Sequence, residues 1–304
     1  WLKVDGRPFI LTYHNGAHID MTPAIWQSLA EGVKELGFDP FIVYNFEGIQ
    51  VALTGTVDLE EAAQIIPYTD GVYHFGGSSL KEGAKFPAFI REHFQDLHPE
   101  MIVGGAVHVG YYSNRTYNRN VISHRHTGEL RENFEFLLSG NPDFIHLTTW
   151  NDYNEATTFC PSYSDIGARL EIVKRMVADY FEQPQPVGKA GVPEIVLSYR
   201  KEIYPGEPLM LEVLPLVTQK GPKQGKLSIT VETYDGEVIL QDTSPTLDLT
   251  KLEPWYTTEV DLPPSLNEVA PMTLRVTAKF TGTNGESIEY ANMPDILISE
   301  WINY

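Results

Sequence analysis

Apolar residues recur along the first 183 positions in two alternating rhythms. Short runs that are almost continuously apolar, β-branched or aromatic lie at Pro8 to Tyr13, Pro40 to Tyr44, Gly71 to Phe75, Met101 to His108 and Asp143 to Thr149. Such runs are the pattern of parallel strands covered on both faces. Between them the apolar spacing becomes helical. The clearest helix opens at Thr22 with Pro23 in the first helical position, carries Ile25, Leu29, Val33 and Leu36, and stops at Gly37. Similar periods run from Leu59 to Ile66, Lys85 to Leu97, Thr127 to Leu138 and Asp165 to Phe181. Five successive strand-helix units predict an α/β domain over residues 1–183, organised as a (β/α) barrel.

The rhythm then changes. Residues 184–193 are rich in proline and glycine and read as a linker. From residue 194 the helical period disappears, and alternating runs follow at Glu194 to Tyr199, Leu209 to Leu216, Lys226 to Tyr234, Glu237 to Gln241, Thr257 to Leu262, Met272 to Thr281 and Ser287 to Ala291. Asp235-Gly236 and Asn284-Gly285 are hairpin turn signals between such runs. Short strands with these turns predict a β-sandwich over residues 194–304.

Composition narrows the chemistry. The formal net charge of −19 repels a phosphate backbone, which argues against nucleic acid as a partner. No run of ~18 apolar residues predicts a membrane span. A single cysteine, Cys160, excludes an intrachain disulfide and a cysteine metal cluster. His124 with His126 and His14 with His18 come with no further ligand pattern, so no metal is expected. With no Gly-rich phosphate loop and no nucleophile elbow either, the expected cofactor is none. A secretion signal, where the protein has one, is expected outside these 304 residues.

The carboxyl ends of parallel strands are where barrel folds carry their chemistry. Here those ends read Tyr13, His14 and Asn15, then Tyr44, Asn45 and Glu47, then His74, then His108. After the fifth strand come Trp150, Asn151, Asp152, Tyr153 and Glu155. Aromatic rings with amide and imidazole groups suit a sugar, the rings covering its C–H face and the polar groups pairing with its hydroxyls. The segment Gly110 to His126, with Tyr111, Tyr112, Asn114, Arg115, Tyr117, Asn118 and Arg119, reads as a binding loop or an ordinary solvated one. Asp152 and Glu155 are two carboxylates three positions apart beside aromatic rings, as acid/base glycoside hydrolysis requires. The same spacing suits a turn in which Asp152 is only a cap. In the sandwich, Trp255 and Tyr256 are candidates for a sugar platform or for the core.

The stretch Thr149 to Pro161, TWNDYNEATTFCP, resembles the signature after the last barrel strand of glycoside hydrolase family 71, the endo-α-1,3-glucanases. It is also similar to the corresponding block of family 99 endo-α-mannosidases. Val4 to Tyr13, VDGRPFILTY, resembles a middle barrel strand of these families. The resemblance implies a (β/α)8-type (TIM) barrel lacking its first βα units in this chain, with the missing N-terminal part supplied by the same protein or as a separate chain. An open five-stranded sheet is the alternative. It further implies hydrolysis of an α-linked polysaccharide and an extracytoplasmic location. Glu155 would be the proton donor, and Asp152 would activate the nucleophile. Asn154 and Ala156-Thr157 depart from the glucanase pattern, which leaves a non-catalytic carbohydrate-binding protein as the other reading.

Overall fold

The computed structural model describes residues 2–13, 22–46, 63–75, 80–112, 121–122, 126–161, 167–187, 195–200, 202–216, 221–251, 255–264, 272–291 and 296–298. The chain forms two compact units. The first comprises Trp1–Tyr112, Val121–Ser123 and Glu129–Thr158, and the second comprises Ser113–Asn120, His124–Gly128 and Phe159–Tyr304.

The first unit is built on five parallel strands: β2 (Arg7–Leu11), β3 (Phe41–Asn45), β4 (Gly71–His74), β5 (Ile102–Val107) and β8 (Phe144–Leu147), adjacent in that order. A short strand β1 (Lys3–Val4) pairs antiparallel with the outer edge of β2, so the sheet is six-stranded and mixed. Helices α1 (Pro23–Glu35), α2 (Leu80–Phe94) and α3 (Gly128–Ser139) connect the strands. Thr22 caps α1 by accepting from the Ile25 amide at 3.4 Å, with Pro23 in the first turn as its sequence implies. A separate two-stranded ribbon joins β6 (Tyr111–Tyr112) to β7 (Val121–Ile122).

The (β/α)8-type barrel is therefore not the fold. Each strand and its following helix are written locally, but closure requires hydrogen bonds between the first and last strands, which local periodicity does not encode. Asp5 and Gly6, at φ 51° and 81°, form a tight hairpin turn that lays β1 along the start of β2. That antiparallel strand occupies the edge on which a further parallel neighbour would have to pair. Among the described residues β8 pairs with β5 alone, so the sheet stays open.

Two faces of this sheet are packed differently. On one, Phe86, Ile90 and Phe94 of α2 recur every fourth residue and bury against Val72, Val103, Ile66 and Phe46. On the other, Phe9, Phe41, Tyr73 and Phe144 form an aromatic layer. Phe9 stacks on Phe41 at 5.9 Å and meets Phe144 edge-on at 5.6 Å. Gly104 and Gly105 make this possible. A Cβ on Gly104 would overlap the Phe144 ring, and one on Gly105 would overlap Leu137 of α3 on the opposite side.

At the amino ends of the strands two aspartates repeat one device. Asp70 accepts from the Ile42 amide at 2.8 Å and from the Arg7 guanidinium at 2.6 and 2.8 Å; Asp143 accepts from the Val103 amide at 2.7 Å and from Arg91 at 3.1 Å. Each carboxylate thus satisfies an amide of the neighbouring strand and neutralises an arginine. Asp70→Ala strands the Ile42 amide and leaves Arg7 with only Asp39 and the Pro40 carbonyl, and is expected to cost about 2 kcal/mol, read from urea denaturation. Asp70→Asn, which keeps an acceptor oxygen, should recover part of that loss.

In the second unit, strands β10 (Glu202–Ile203), β17 (Ile296–Ile298), β15 (Met272–Gly282), β12 (Gln224–Thr233) and β13 (Val238–Asp248) form one sheet in that order, with β16 (Ser287–Ala291) also on β15. The other sheet orders β14 (Tyr256–Val260), β11 (Leu209–Pro215) and β9 (Ile195–Tyr199). Leu209, Leu211 and Val213 of β11 alternate inward with Leu227, Ile229 and Val231 of β12 and Leu274, Val276, Ala278 and Phe280 of β15, which makes the core of a sandwich. Tyr256 packs on this core and its hydroxyl donates to Asp242 at 2.6 Å, which pushes the phenol up to about 12. Helix α4 (Ala168–Tyr180) also belongs to this unit. Its buried Arg175 donates to the carbonyls of Leu249 and Lys251 at 3.2 and 2.8 Å. Burial lowers that guanidinium to about 10, against the pull of Glu171.

Candidate active site

The carboxyl end of β8 leads into a compact loop whose neck is closed by threonines. Thr149 donates its amide to the Thr157 carbonyl at 3.0 Å, the two hydroxyls meet at 2.9 Å, and the Thr158 hydroxyl donates to the Trp150 carbonyl at 2.6 Å. The Thr148–Thr149 peptide bond is cis, and Ala156 turns the chain at φ 56°. These bonds hold residues 150–156 as a small lobe. Trp150 and Tyr153 are each 58% exposed on it, and Asn151 is exposed.

Asp152 and Glu155 sit in this lobe in unlike surroundings. Asp152 Oδ1 accepts from the amides of Asn154 and Glu155, both at 3.1 Å, and its own amide donates to the Thr149 hydroxyl at 3.1 Å. One oxygen of Asp152 is thus a turn cap. Glu155 Oε1 accepts from the Tyr111 hydroxyl at 3.0 Å, a contact 44 residues apart in sequence that brings the β6–β7 ribbon to the lobe.

The aromatic layer of the sheet continues past the carboxyl ends of β2 and β4. Tyr13 meets Phe75 at 4.6 Å, Phe75 meets His146 at 5.6 Å, and His146 meets Tyr73 edge-on at 5.6 Å. The Thr148 hydroxyl lies 3.1 Å from the Phe75 carbonyl and 3.0 Å from His146 Nδ1. A carbonyl can only accept, so Thr148 gives its single proton to Phe75 and receives the one on Nδ1. That assignment places a proton on His146 Nδ1; burial lowers the pKa of the ring.

His108 lies close to His146 and His74. Burial, and secondarily the repulsion of those two imidazoles, lowers its pKa to about 4; its Nε2 is buried with no hydrogen-bond partner among the described residues. The unfolded histidine titrates near 6.5, so between 6.5 and about 4 the unfolded chain holds more protons. Its contribution to stability is therefore full above 6.5 and is lost as pH falls toward about 4. His108→Gln, neutral throughout, should flatten the acid side of the stability profile measured by denaturant titration between about pH 7 and 4.5. An unchanged slope would remove His108 from the account.

The sequence-predicted residues separate into groups. Tyr111, Trp150, Asn151, Asp152, Tyr153 and Glu155 gather at the lobe, while Tyr13, which is 60% exposed, tops the aromatic layer. Tyr44 and His74 turn instead to the helix-covered face, where Tyr44 packs on Trp26 at 5.0 Å and His74 on Phe86 at 5.8 Å. Asn45 is 1% exposed and braces the strands, accepting from the Phe75 amide at 3.0 Å. His14, Asn15 and Glu47 lie outside the described residues, as do Asn114, Arg115, Tyr117, Asn118 and Arg119. His146 and the threonine neck were not singled out from the sequence. The signal available for the neck was the pair Thr148-Thr149 and its echo Thr157-Thr158 on either side of the loop.

Among the described residues no group of three His, Cys, Asp or Glu side chains is placed to hold a metal, and no helix is long and apolar enough to cross a membrane. No protein-family model and no curated protein matches the chain. Among solved structures, it is similar to a calcium-binding mutant of Bacteroides uniformis beta-glucuronidase 2, at 13% identity and TM-score 0.42, over 91% of this chain and 30% of that one. A putative beta-galactosidase from Bacteroides fragilis matches at 13% identity and TM-score 0.24, over 35% of this chain and 16% of that one. The superoxide reductase (neelaredoxin) from Ignicoccus hospitalis matches at 9% identity and TM-score 0.24, over 34% of this chain and 80% of that one. Similarities this low carry no argument about activity.

Proposed function

We propose that the chain carries the acid/base carboxylates of a glycoside hydrolase acting on an α-linked polysaccharide, with α-1,3-glucan the first substrate to test. The observation that carries the reading is the lobe after β8. Two carboxylates in unlike surroundings stand there in the same short lobe as the exposed rings of Trp150 and Tyr153. The rings offer apolar faces to pyranose C–H groups, and the carboxylates offer proton transfer. The family 71 and family 99 resemblance of Thr149 to Pro161 supports the same assignment without requiring a closed barrel.

In this mechanism Glu155 passes a proton to the glycosidic oxygen as the bond from that oxygen to the anomeric carbon breaks, the bonding pair staying with the departing oxygen. A water oxygen completes the anomeric carbon, and Asp152 takes the proton that water gives up when inversion is the outcome. With retention, the sugar's own 2-hydroxyl makes the first attack, Asp152 takes its proton, and water follows. The anomeric configuration of the first product by NMR distinguishes the two.

A second reading, a carbohydrate-binding surface without turnover, is favoured by one observation: an oxygen of Asp152 is already committed to two backbone amides. Incubation with α-1,3-glucan, α-mannan and dextran, followed by analysis of released sugars, separates the readings. Oligosaccharide release from one polymer supports the hydrolase; retention on a polymer with no release supports the binding surface.

A further inference from the structure

The hydrogen bond between Tyr111 and Glu155 is a long-range contact that joins the lobe to another element of the first unit. Tyr111 is anchored on its own side: the ribbon pairs Tyr111 with Ile122 and Tyr112 with Val121, which fixes the backbone from which the phenol reaches. The phenol oxygen lies 3.0 Å from Glu155 Oε1, and Oε2 of the same carboxyl has no hydrogen-bond partner among the described residues. A phenol hydroxyl both donates and accepts, so it holds Oε1 whether Glu155 carries a proton or not.

We infer that Tyr111 is a positioning residue for Glu155, which clamps Oε1 so that Oε2 is the oxygen that exchanges a proton with substrate. The inference rests on the proposed hydrolase activity for its catalytic consequence but not for the contact itself. A side chain with three rotatable bonds, held at one oxygen, keeps its second oxygen in one place through the reaction. The role differs from sugar binding, because a ring that only touched sugar would act on affinity through its face.

Two measurements test this. In the first, Tyr111→Phe, which removes only the hydroxyl, is compared with wild type in carbodiimide coupling of a glycine ester, with modified peptides mapped by mass spectrometry. Coupling at Glu155 should rise several-fold while coupling at Asp152 stays at the wild-type rate; equal rates at Glu155 in the two proteins would overturn the clamp. In the second, on the polysaccharide that wild type cleaves, Tyr111→Phe should lower kcat about ten-fold or more with KM little changed, the loss expected for a hydrogen bond to a charged group. A rise in KM with kcat unchanged would make Tyr111 a sugar contact and sink the positioning role. If wild type cleaves none of the three polymers, the hydrolase reading fails by itself, and the coupling experiment still decides the clamp. Matching melting temperatures for the two proteins would exclude an unfolding artefact.

Discussion

Glu155→Gln is expected to lower kcat on the native polysaccharide by ~10² to 10⁴-fold, the range for a lost general acid or base, with the melting temperature unchanged. The stability half of that expectation comes from the surroundings of Glu155. Its carboxylate accepts from the Tyr111 hydroxyl, and Gln keeps an oxygen that can accept that bond. A substrate with a good leaving group should partly restore Glu155→Gln, because such a substrate needs no protonation at the departing oxygen. Asp152→Asn should fall as steeply and show no such rescue. Asp152→Ala carries an additional structural cost of about 1 kcal/mol, since it also removes the acceptor for the Asn154 and Glu155 amides. Asn keeps that acceptor, so the Asn variant reports chemistry and the difference between Asn and Ala reports the turn. Wild-type turnover in both conservative variants would end the hydrolase assignment.

Gly104→Val is expected to destabilise the first unit by about 3 kcal/mol or more, through overpacking rather than lost contact. The Cβ alone would overlap the Phe144 ring, and the ring cannot retreat freely because Phe9 meets it edge-on at 5.6 Å. Since β5 lies between β4 and β8, displacement of Phe144 shifts the strand that leads directly into the lobe. Denaturant unfolding measures the first effect. Trp150 emission, isolated from that of the other four tryptophans as the difference from a Trp150→Phe background, gives a local reading of the second, the ring being 58% exposed on the lobe. Pairing Gly104→Ala with Phe144→Leu tests the mechanism: if overpacking is the cause, the smaller partner should recover stability that Gly104→Ala loses, a coupling visible in a double-mutant cycle.

The extent to which the site was legible in the sequence varied with the range of the interaction involved. The lobe lies within one loop, and its residue types announce it: two acids, two aromatic rings and two amides within six positions, Trp150 to Glu155. Tyr44 and His74 were harder to place. Both lie near strand ends, His74 last in β4 and Tyr44 next to last in β3, but successive side chains on a strand point to opposite faces, so Tyr44 turns to Trp26 while its neighbour Asn45 braces the other side. The Tyr111 clamp could not be read at all, because nothing in either segment specifies a partner 44 residues away.

The sequence by itself marked the long strands and helices, whereas the short strands β1, β6, β7, β10 and β17 lie outside the runs read from it. The five parallel strands begin and end within two residues of their apolar runs, and α1 begins at the capping threonine that its pattern names. It also determined the two hairpins of the second unit and the residue types gathered in the lobe, since these depend on residues adjacent in the chain. Only the tertiary structure decided that the sheet stays open with β1 along its edge, that α4 packs with the sandwich, and that Glu155 is held by Tyr111. Periodicity records that a face is buried; it does not record what buries it. The apolar stripe of α4 would serve on either unit, and the choice lies with Arg175 reaching the carbonyls of Leu249 and Lys251, more than seventy residues onward. Local preferences are set by backbone sterics and side-chain spacing, whereas closure, docking and clamping are selected by free energies summed over contacts between distant segments.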